Sequence, residues 1–277
     1  MHYVRNRYDA WDGDFADGKM QLYDTGMASM HVMDTDALAA LAMIIKRPEA
    51  TMLQERADTM RALIEAHLWD DDAGIYTNVF SVNGSFNKRY SPTNFYPMIG
   101  KGPSNEHADR MAQHWLMNTT RFCLSPHGDF VGNTDDCFWG LPSISADDPA
   151  FPALGYWRGF VWGPMAMLTY WGLDEYKEVP SAVQAKQSLS KQMNAMMLKQ
   201  WNDHGFICEN YGPHKNTSRC TGQSFCELHS HATQYVPIAN TCVLRACRSL
   251  GRSHRVPLSH RGRTLGPTGG EPTEPQD

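Results

Sequence analysis

The chain has 277 residues, 42% hydrophobic and 20% charged, an ordinary globular composition with room for one large domain or two modest ones. Its formal charge of −5 argues against a basic nucleic-acid surface, which needs clustered Lys and Arg. The one basic stretch, 245–263, falls in a tail poor in apolar residues, and no apolar run reaches the roughly eighteen residues that a membrane-spanning helix requires.

In chain order, residues 1–9 lack the apolar core of a signal peptide and read as a chain entered mid-domain. A helix is predicted over 34–46, where Leu38, Leu41, Ala42 and Ile45 share a face and Pro48 lies just beyond the end. A second is predicted over 51–68 through Leu53, Ala57, Met60, Ile64 and Leu68, with Thr51 as N-cap. The same spacing recurs over 104–117 in Ala108, Met111, Ala112, Trp115 and Leu116. Residues 159–173 are apolar nearly all round, which predicts a deeply buried helix. A last helix is predicted over 180–201, opened by Pro180 and carrying Val183, Leu189, Met193, Met196 and Met197. Strand signals are thin, so the fold class is all-α with long loops.

Two of those loops are alike. Residues 68–78 and 200–210 both run from a helix end through Trp, an Asp/Asn cluster and a glycine-apolar step to a short polar-aromatic segment. A recurring helix-loop unit suggests stacked helical hairpins, as in a solenoid or a closed α/α barrel. The expected domains are a helical domain over 1–225, a weak helix over 226–247, and from 248 to 277 a tail whose Arg, Ser, Gly, Pro and Thr cannot bury much apolar surface.

The seven cysteines are scattered and odd in number, which is not the pattern of a disulfide framework and leaves the compartment open. Cys220, Cys226, His229 and His231 are zinc-type ligands, but their spacing matches no usual finger, so neither metal nor cofactor is expected. Three glycosylation sequons begin at Asn83, Asn118 and Asn216; they permit a secretory location without showing one.

Two stretches have the composition of a site. Glu209 stands in Ile207-Cys208-Glu209-Asn210-Tyr211, after a glycine turn and among apolar and aromatic neighbours, a setting that suits a general base. A single loop glutamate is, on its own, more often solvated than catalytic. Tyr156-Trp157-Arg158-Gly159-Phe160-Val161-Trp162-Gly163-Pro164 places one Tyr, two Trp and one Arg at the mouth of an apolar helix. Such a mouth can pack against a sugar and hold its hydroxyls. The residues alone are equally compatible with core tryptophans and a structural arginine.

The segment 156–165 resembles the signature of glycoside hydrolases related to family 63 α-glucosidases and mannosylglycerate hydrolases, and more distantly to trehalases. Leu22-Tyr23-Asp24-Thr25-Gly26-Met27, Ser91-Pro92-Thr93-Asn94-Phe95-Tyr96-Pro97-Met98, Gly140-Leu141-Pro142-Ser143-Ile144 and Asp147-Asp148-Pro149 resemble further motifs of that group, in order, over about residues 20–225. The resemblance implies an (α/α)6 barrel and hydrolysis of an α-glucoside or α-mannoside, an oligosaccharide or a small glycoside, with inversion. It makes Glu209 the general base, Tyr156, Trp157 and Trp162 the lining of the sugar site, and Arg158 and Tyr211 supporting polar contacts. The family's general acid, an aspartate in Ser-Gly-x-Asp-Asn-Ser-Pro, has no counterpart here; Asp9, Asp12, Asp14 and Asp24 lie near the right region without its motif. Past 225 the chain departs again. About half of the barrel's helices are legible, as in an N-terminally truncated copy. The alternatives are therefore an inactive or carbohydrate-binding α/α fragment, which associates through helix faces left exposed.

Overall fold

The computed structural model describes residues 15–16, 19–124, 137–205 and 207–213, with backbone alone for 15, 16, 19, 20 and 204. All of these fall in the first of two units into which the chain divides, 1–233 and 234–277. The weak helix and tail expected beyond 225, and the Cys220–His231 cluster, lie outside the described residues.

Two short antiparallel pairings open the described chain: β1 (Phe15–Ala16) with β2 (Lys19–Met20), and β3 (Leu22–Tyr23) with a later strand. Helix α1 spans Thr25–Ile44 and so starts nine residues before its expected position. Asp24 sets that start, because its side chain accepts from Met27 N at 2.7 Å and satisfies one of the free amides of the first turn. The hydroxyls of Ser29 and Thr35 bond back to the carbonyls of Thr25 and His31, both at 2.7 Å, so these two are buried with their hydrogen bonds made. The buried face of α1 differs from the expected one. It consists of Thr25, Gly26, Ser29, Val32, Thr35, Ala39 and Ala42, whereas Leu38, Leu41 and Ile45 are exposed. Small side chains let α1 lie close against its neighbours, and the larger apolar stripe points away from the described residues.

Helix α2 (Glu49–Leu68) packs against α1 and buries Ala57, Ile64 and Leu68 of its expected apolar face, with Leu53 and Met60 half-buried. Its start is Pro48 and not Thr51, and no side chain caps it. Proline's fixed φ is already helical, so the turn closes without a capping oxygen. Arg61 of α2 ties the pair to the next segment, donating to Asp36 and Asp58 and, at 2.6 Å, to the Gly100 carbonyl.

After α2 the chain runs through β4 (Trp69–Asp70), β5 (Ile75–Tyr76), β6 (Asn78–Phe80) and β7 (Phe86–Asn87); β4 pairs with β5, and β6 lies between β3 and β7. A 3-10 turn at Pro92–Met98 follows. It is the hub of the domain: a Cβ on Gly26 of α1 would sit 2.8 Å from Thr93 Cβ, and one on Gly172 would sit 2.9 Å from Met98 Cβ, so helices approach it from both sides. Asn94 holds the turn, accepting from Ser91 N at 2.7 Å and donating to the Tyr76 carbonyl at 2.8 Å.

Helix α3 (Asn105–Met111) starts at the capping residue Ser104 and continues as a π-turn over Ala112–Leu116, burying Ala108, Met111, Ala112, Trp115 and Leu116. Further on, β8 (Val161–Trp162) leads into α4 (Gly163–Asp174). This helix starts four residues later than expected and is only partly buried, with Met167 and Trp171 nearly half exposed. The long helix α5 (Pro180–His204) begins with proline in its first turn, as expected, and ends on Gly205 in the left-handed conformation. The last strand, β9 (Asn210–Tyr211), pairs antiparallel with β8.

The two look-alike loops share a glycine with positive φ, +69° at Gly74 and +71° at Gly205, but otherwise diverge. Trp69 belongs to a hairpin, while Trp201 still lies inside α5. The cysteines also differ from expectation. Cys123 and Cys137 form a disulfide, and Cys208 is disulfide-bonded too. Sequence spacing cannot show such a pairing, because the fold decides which Cβ atoms meet.

Candidate active site

The β8–β9 pair builds the site. Its register sets Val161 opposite Tyr211 and Trp162 opposite Asn210, which brings Glu209, one residue before β9, beside the turn that precedes β8. The Tyr156 hydroxyl donates to Glu209 Oε1 across 53 residues of sequence. Among the described residues Oε2 has no partner, so one carboxylate oxygen is held and the other is left for a further donor.

The 156–162 turn closes on itself. Trp162 Nε1 donates to the Tyr156 carbonyl at 2.9 Å, and Arg158 N to the Gly155 carbonyl at 3.0 Å. Gly159 has φ +111°, a region that side-chain-bearing residues rarely adopt, and its amide donates to Ser143 Oγ at 2.9 Å. Ser143 N in turn donates to the Phe160 carbonyl at 2.9 Å. Ser143 is therefore the anchor of the turn; its segment 140–144 is one of the family-like stretches, but the resemblance gives the serine itself no role. At Gly155 a Cβ would lie 2.8 Å from Arg158 Nε, so the guanidinium folds over this glycine and a side chain there would displace it.

The two tryptophans, alike in sequence, take different places. Trp162 is 6% exposed and belongs to the core, while Trp157 is half-buried and stacks on it with ring centroids 3.9 Å apart and planes 9° from parallel. Tyr156 meets Trp162 edge-on at 4.6 Å. Tyr211 is turned inward. Its hydroxyl oxygen accepts from Cys208 N at 3.1 Å, and burial raises its phenol above the ordinary value. It braces the loop that carries Glu209. Together these groups can seat the apolar face of a ring, and they hold a carboxylate at its edge.

Of the aspartates near the place of the family's acid, Asp9, Asp12 and Asp14 lie outside the described residues. Asp24 is occupied by structure: Oδ1 caps α1, and Oδ2 accepts from Asn78 Nδ2 at 3.3 Å. Asn78 Oδ1 also takes the Thr25 amide at 2.8 Å, so Asp24 and Asn78 together close the start of α1. Burial raises the Asp24 carboxyl above its ordinary value of 3.8, and the bonds from Met27, Asn78 and Gly26 oppose this. Its folded state thus holds the proton more tightly than the unfolded chain. The stability from this group is full below the unfolded value and is lost as pH rises through the folded one. Asp24→Asn is expected to flatten the fall in stability from about pH 4 upward, which thermal melts across that range will read. An unchanged pH profile would remove this account of Asp24.

The fold is that of a helical glycoside hydrolase domain. The mannosylglycerate hydrolase MGH1-like glycoside hydrolase domain matches residues 1–232, and the chain belongs to that family. Mannosylglycerate hydrolases MGH1 and MGH2 of Selaginella moellendorffii are each 30% identical over 112 residues, 39% of this chain and 19% of theirs. The GH63 mannosylglycerate hydrolase of Thermus thermophilus, solved with glucose, superposes with a TM-score of 0.55 at 22% identity, covering 78% of this chain and 49% of that one. Neutral trehalase Nth1 of Saccharomyces cerevisiae superposes with a TM-score of 0.54 at 18% identity over 70% of this chain and 34% of its own. The fold is part of an (α/α)6 glycosidase barrel, and the chain spans less than half the length of these relatives.

Proposed function

We propose that Glu209 and the 156–162 turn form the base side of an inverting α-glycosidase site. The observation that carries this is the Tyr156–Glu209 bond beside the Trp157–Trp162 stack. Glu209 takes a proton from water through Oε2 while Tyr156 holds Oε1, and the water attacks the anomeric carbon from the face opposite the leaving group. In such sites the two carboxyl groups stand roughly 6.5–9.5 Å apart to admit the water. The general acid is assigned to no described residue. The relatives named mannosylglycerate hydrolases favour an α-mannoside or α-glucoside with a small acidic aglycone, whose ring packs on Trp157 and whose polar groups meet Arg158.

The test is proton NMR of the anomeric products of mannosylglycerate and glucosylglycerate. First appearance of the β-anomer supports the reading, and first appearance of the α-anomer overturns it. The second reading, carbohydrate binding without turnover, is favoured by the use of both Asp24 oxygens in capping. It predicts saturable quenching of tryptophan fluorescence by the glycoside, lost in Trp157→Ala, with no product. Self-association belongs to the same proposal, because Leu38, Leu41, Ile44 and Ile45 of α1 and its C-terminal turn lie 46–74% exposed. Sedimentation of the chain is expected to show concentration-dependent oligomers, fewer in a Leu41→Gln, Ile45→Gln variant.

A further inference from the structure

Two of the three sequons lie on described surface turns, and the turns are built alike. At the tip of the β6–β7 hairpin, Asn83 Oδ1 accepts from Ser85 N at 3.0 Å and from Ser85 Oγ at 2.8 Å. After the π-turn of α3, Asn118 Oδ1 accepts from Thr120 N at 2.9 Å and from Thr120 Oγ at 2.8 Å. In both, the amide oxygen is taken by the residue two places on, while the amide nitrogen has no partner among the described residues. Both turns also have open space. Residues 81–85 are exposed, and a Cβ on Gly84 would meet nothing within 4 Å. Asn118 edges an open hollow of about 530 Å³ lined with Gln113, His114 and Arg121, and Thr119 and Thr120 are exposed.

A sequon alone carries little weight, since the pattern arises by chance. The second observation is the redox state. Cys123 and Cys137 are bonded, and Cys208 is disulfide-bonded as well, whereas such bonds are rare in a reducing cytosol and persist along the secretory route, where asparagine-linked glycans are added. The first disulfide adjoins the second sequon directly, because the amides of Arg121 and Cys123 both bond the Asn118 carbonyl at 3.0 Å.

We propose that Asn83 and Asn118 are acceptor sites for N-linked glycans. The donor class is an oligosaccharide carried on a polyprenyl diphosphate. Asparagine Nδ2 forms a bond to the anomeric carbon, the bond from that carbon to the diphosphate oxygen breaks, Nδ2 gives up one proton, and the diphosphate leaves with the electron pair. The hydroxyl two residues on fixes the amide for recognition, so Ser85 and Thr120 are positioning residues for this modification.

The experiment directs the full 277-residue chain, carrying Asn216→Gln to leave two sequons, through a eukaryotic secretory host. Peptide mass spectrometry follows an enzymatic glycan release that converts each modified asparagine to aspartate. The expected result is aspartate at positions 83 and 118, with a Cys123–Cys137 linked peptide in the non-reduced digest. Ser85→Ala is expected to abolish occupancy at Asn83 alone, and Thr120→Ala at Asn118 alone. Unmodified asparagine at either position in the secreted, disulfide-bonded chain overturns that site. Free thiols at Cys123 and Cys137 in the secreted chain overturn the ground on which both rest.

Discussion

Replacing Glu209 by Gln in an enzyme that contains this segment is expected to lower kcat by about 10²–10⁴-fold and to leave KM nearly unchanged. The substitution keeps the shape of the side chain. The amide oxygen still accepts from the Tyr156 hydroxyl, and the Trp157–Trp162 stack and the β8–β9 pairing do not depend on the charge. What is lost is the capacity to take a proton from water as it attacks, an interaction made only in the transition state. Tyr156→Phe separates holding the carboxylate from using it. It removes the donor to Oε1 and keeps the aromatic packing, so a smaller loss in kcat than that of the Glu209→Gln variant is expected. Steady-state kinetics on one glycoside, with binding of the intact substrate measured separately, reads both. A Glu209→Gln enzyme that turns over as fast as wild type would end the assignment of Glu209 as base.

The juxtaposition on which that prediction rests cannot be read from periodicity or composition. Tyr156 and Glu209 are 53 residues apart, and the pairing that joins them is two residues long on each strand, too short to leave an alternation. Resemblance to the family places both residues in one site. The contacts that hold them, Ser143 Oγ on the Gly159 amide and Cys208 N on Tyr211, are not predicted by the motif or periodicity in which these residues stand. The helices are far more legible, because a repeating apolar face over three or more turns survives any detail of packing. Helices α2, α3 and α5 follow their expected positions within a few residues. Helix α1 is the instructive failure. Its larger apolar side chains mark a face that the described chain leaves uncovered, and its buried face is mostly threonine, serine, glycine and alanine. Hydropathy ranks such residues low, yet at Gly26 the close approach of the 3-10 turn at Thr93 leaves no room for a Cβ. That turn is legible only as a family motif; its part as the hub between α1 and α4 depends on two glycine contacts that no local pattern reveals.

Trp115→Ala is expected to destabilise the domain by about 3–5 kcal/mol, in the range for deleting a large buried aromatic. Trp115 is 1% exposed in the π-turn that follows α3. Its indole Nε1 donates to the Ala73 carbonyl at 2.9 Å, Tyr90 packs on it at 4.1 Å, and the Arg121 guanidinium lies 3.6 Å over its ring. The ring thus fastens the hairpin after α2 to the helix α3 layer and to the segment that carries Cys123. Alanine removes the apolar area and opens a cavity, and it leaves the Ala73 carbonyl without its donor. Trp115→Phe keeps most of the area and loses the N–H, so a cost of about 1–3 kcal/mol is expected from the unmet carbonyl together with the smaller ring. Against a total stability of roughly 5–15 kcal/mol for a domain, the alanine change removes a large fraction, and denaturant midpoints with slopes will show it. Near-equal midpoints for wild type and alanine would mean that the hairpin is held by its other contacts, chiefly Asn94 on the Tyr76 carbonyl and Arg110 on Asp71. The ordering alanine, then phenylalanine, then wild type follows only if burial and the indole N–H both contribute.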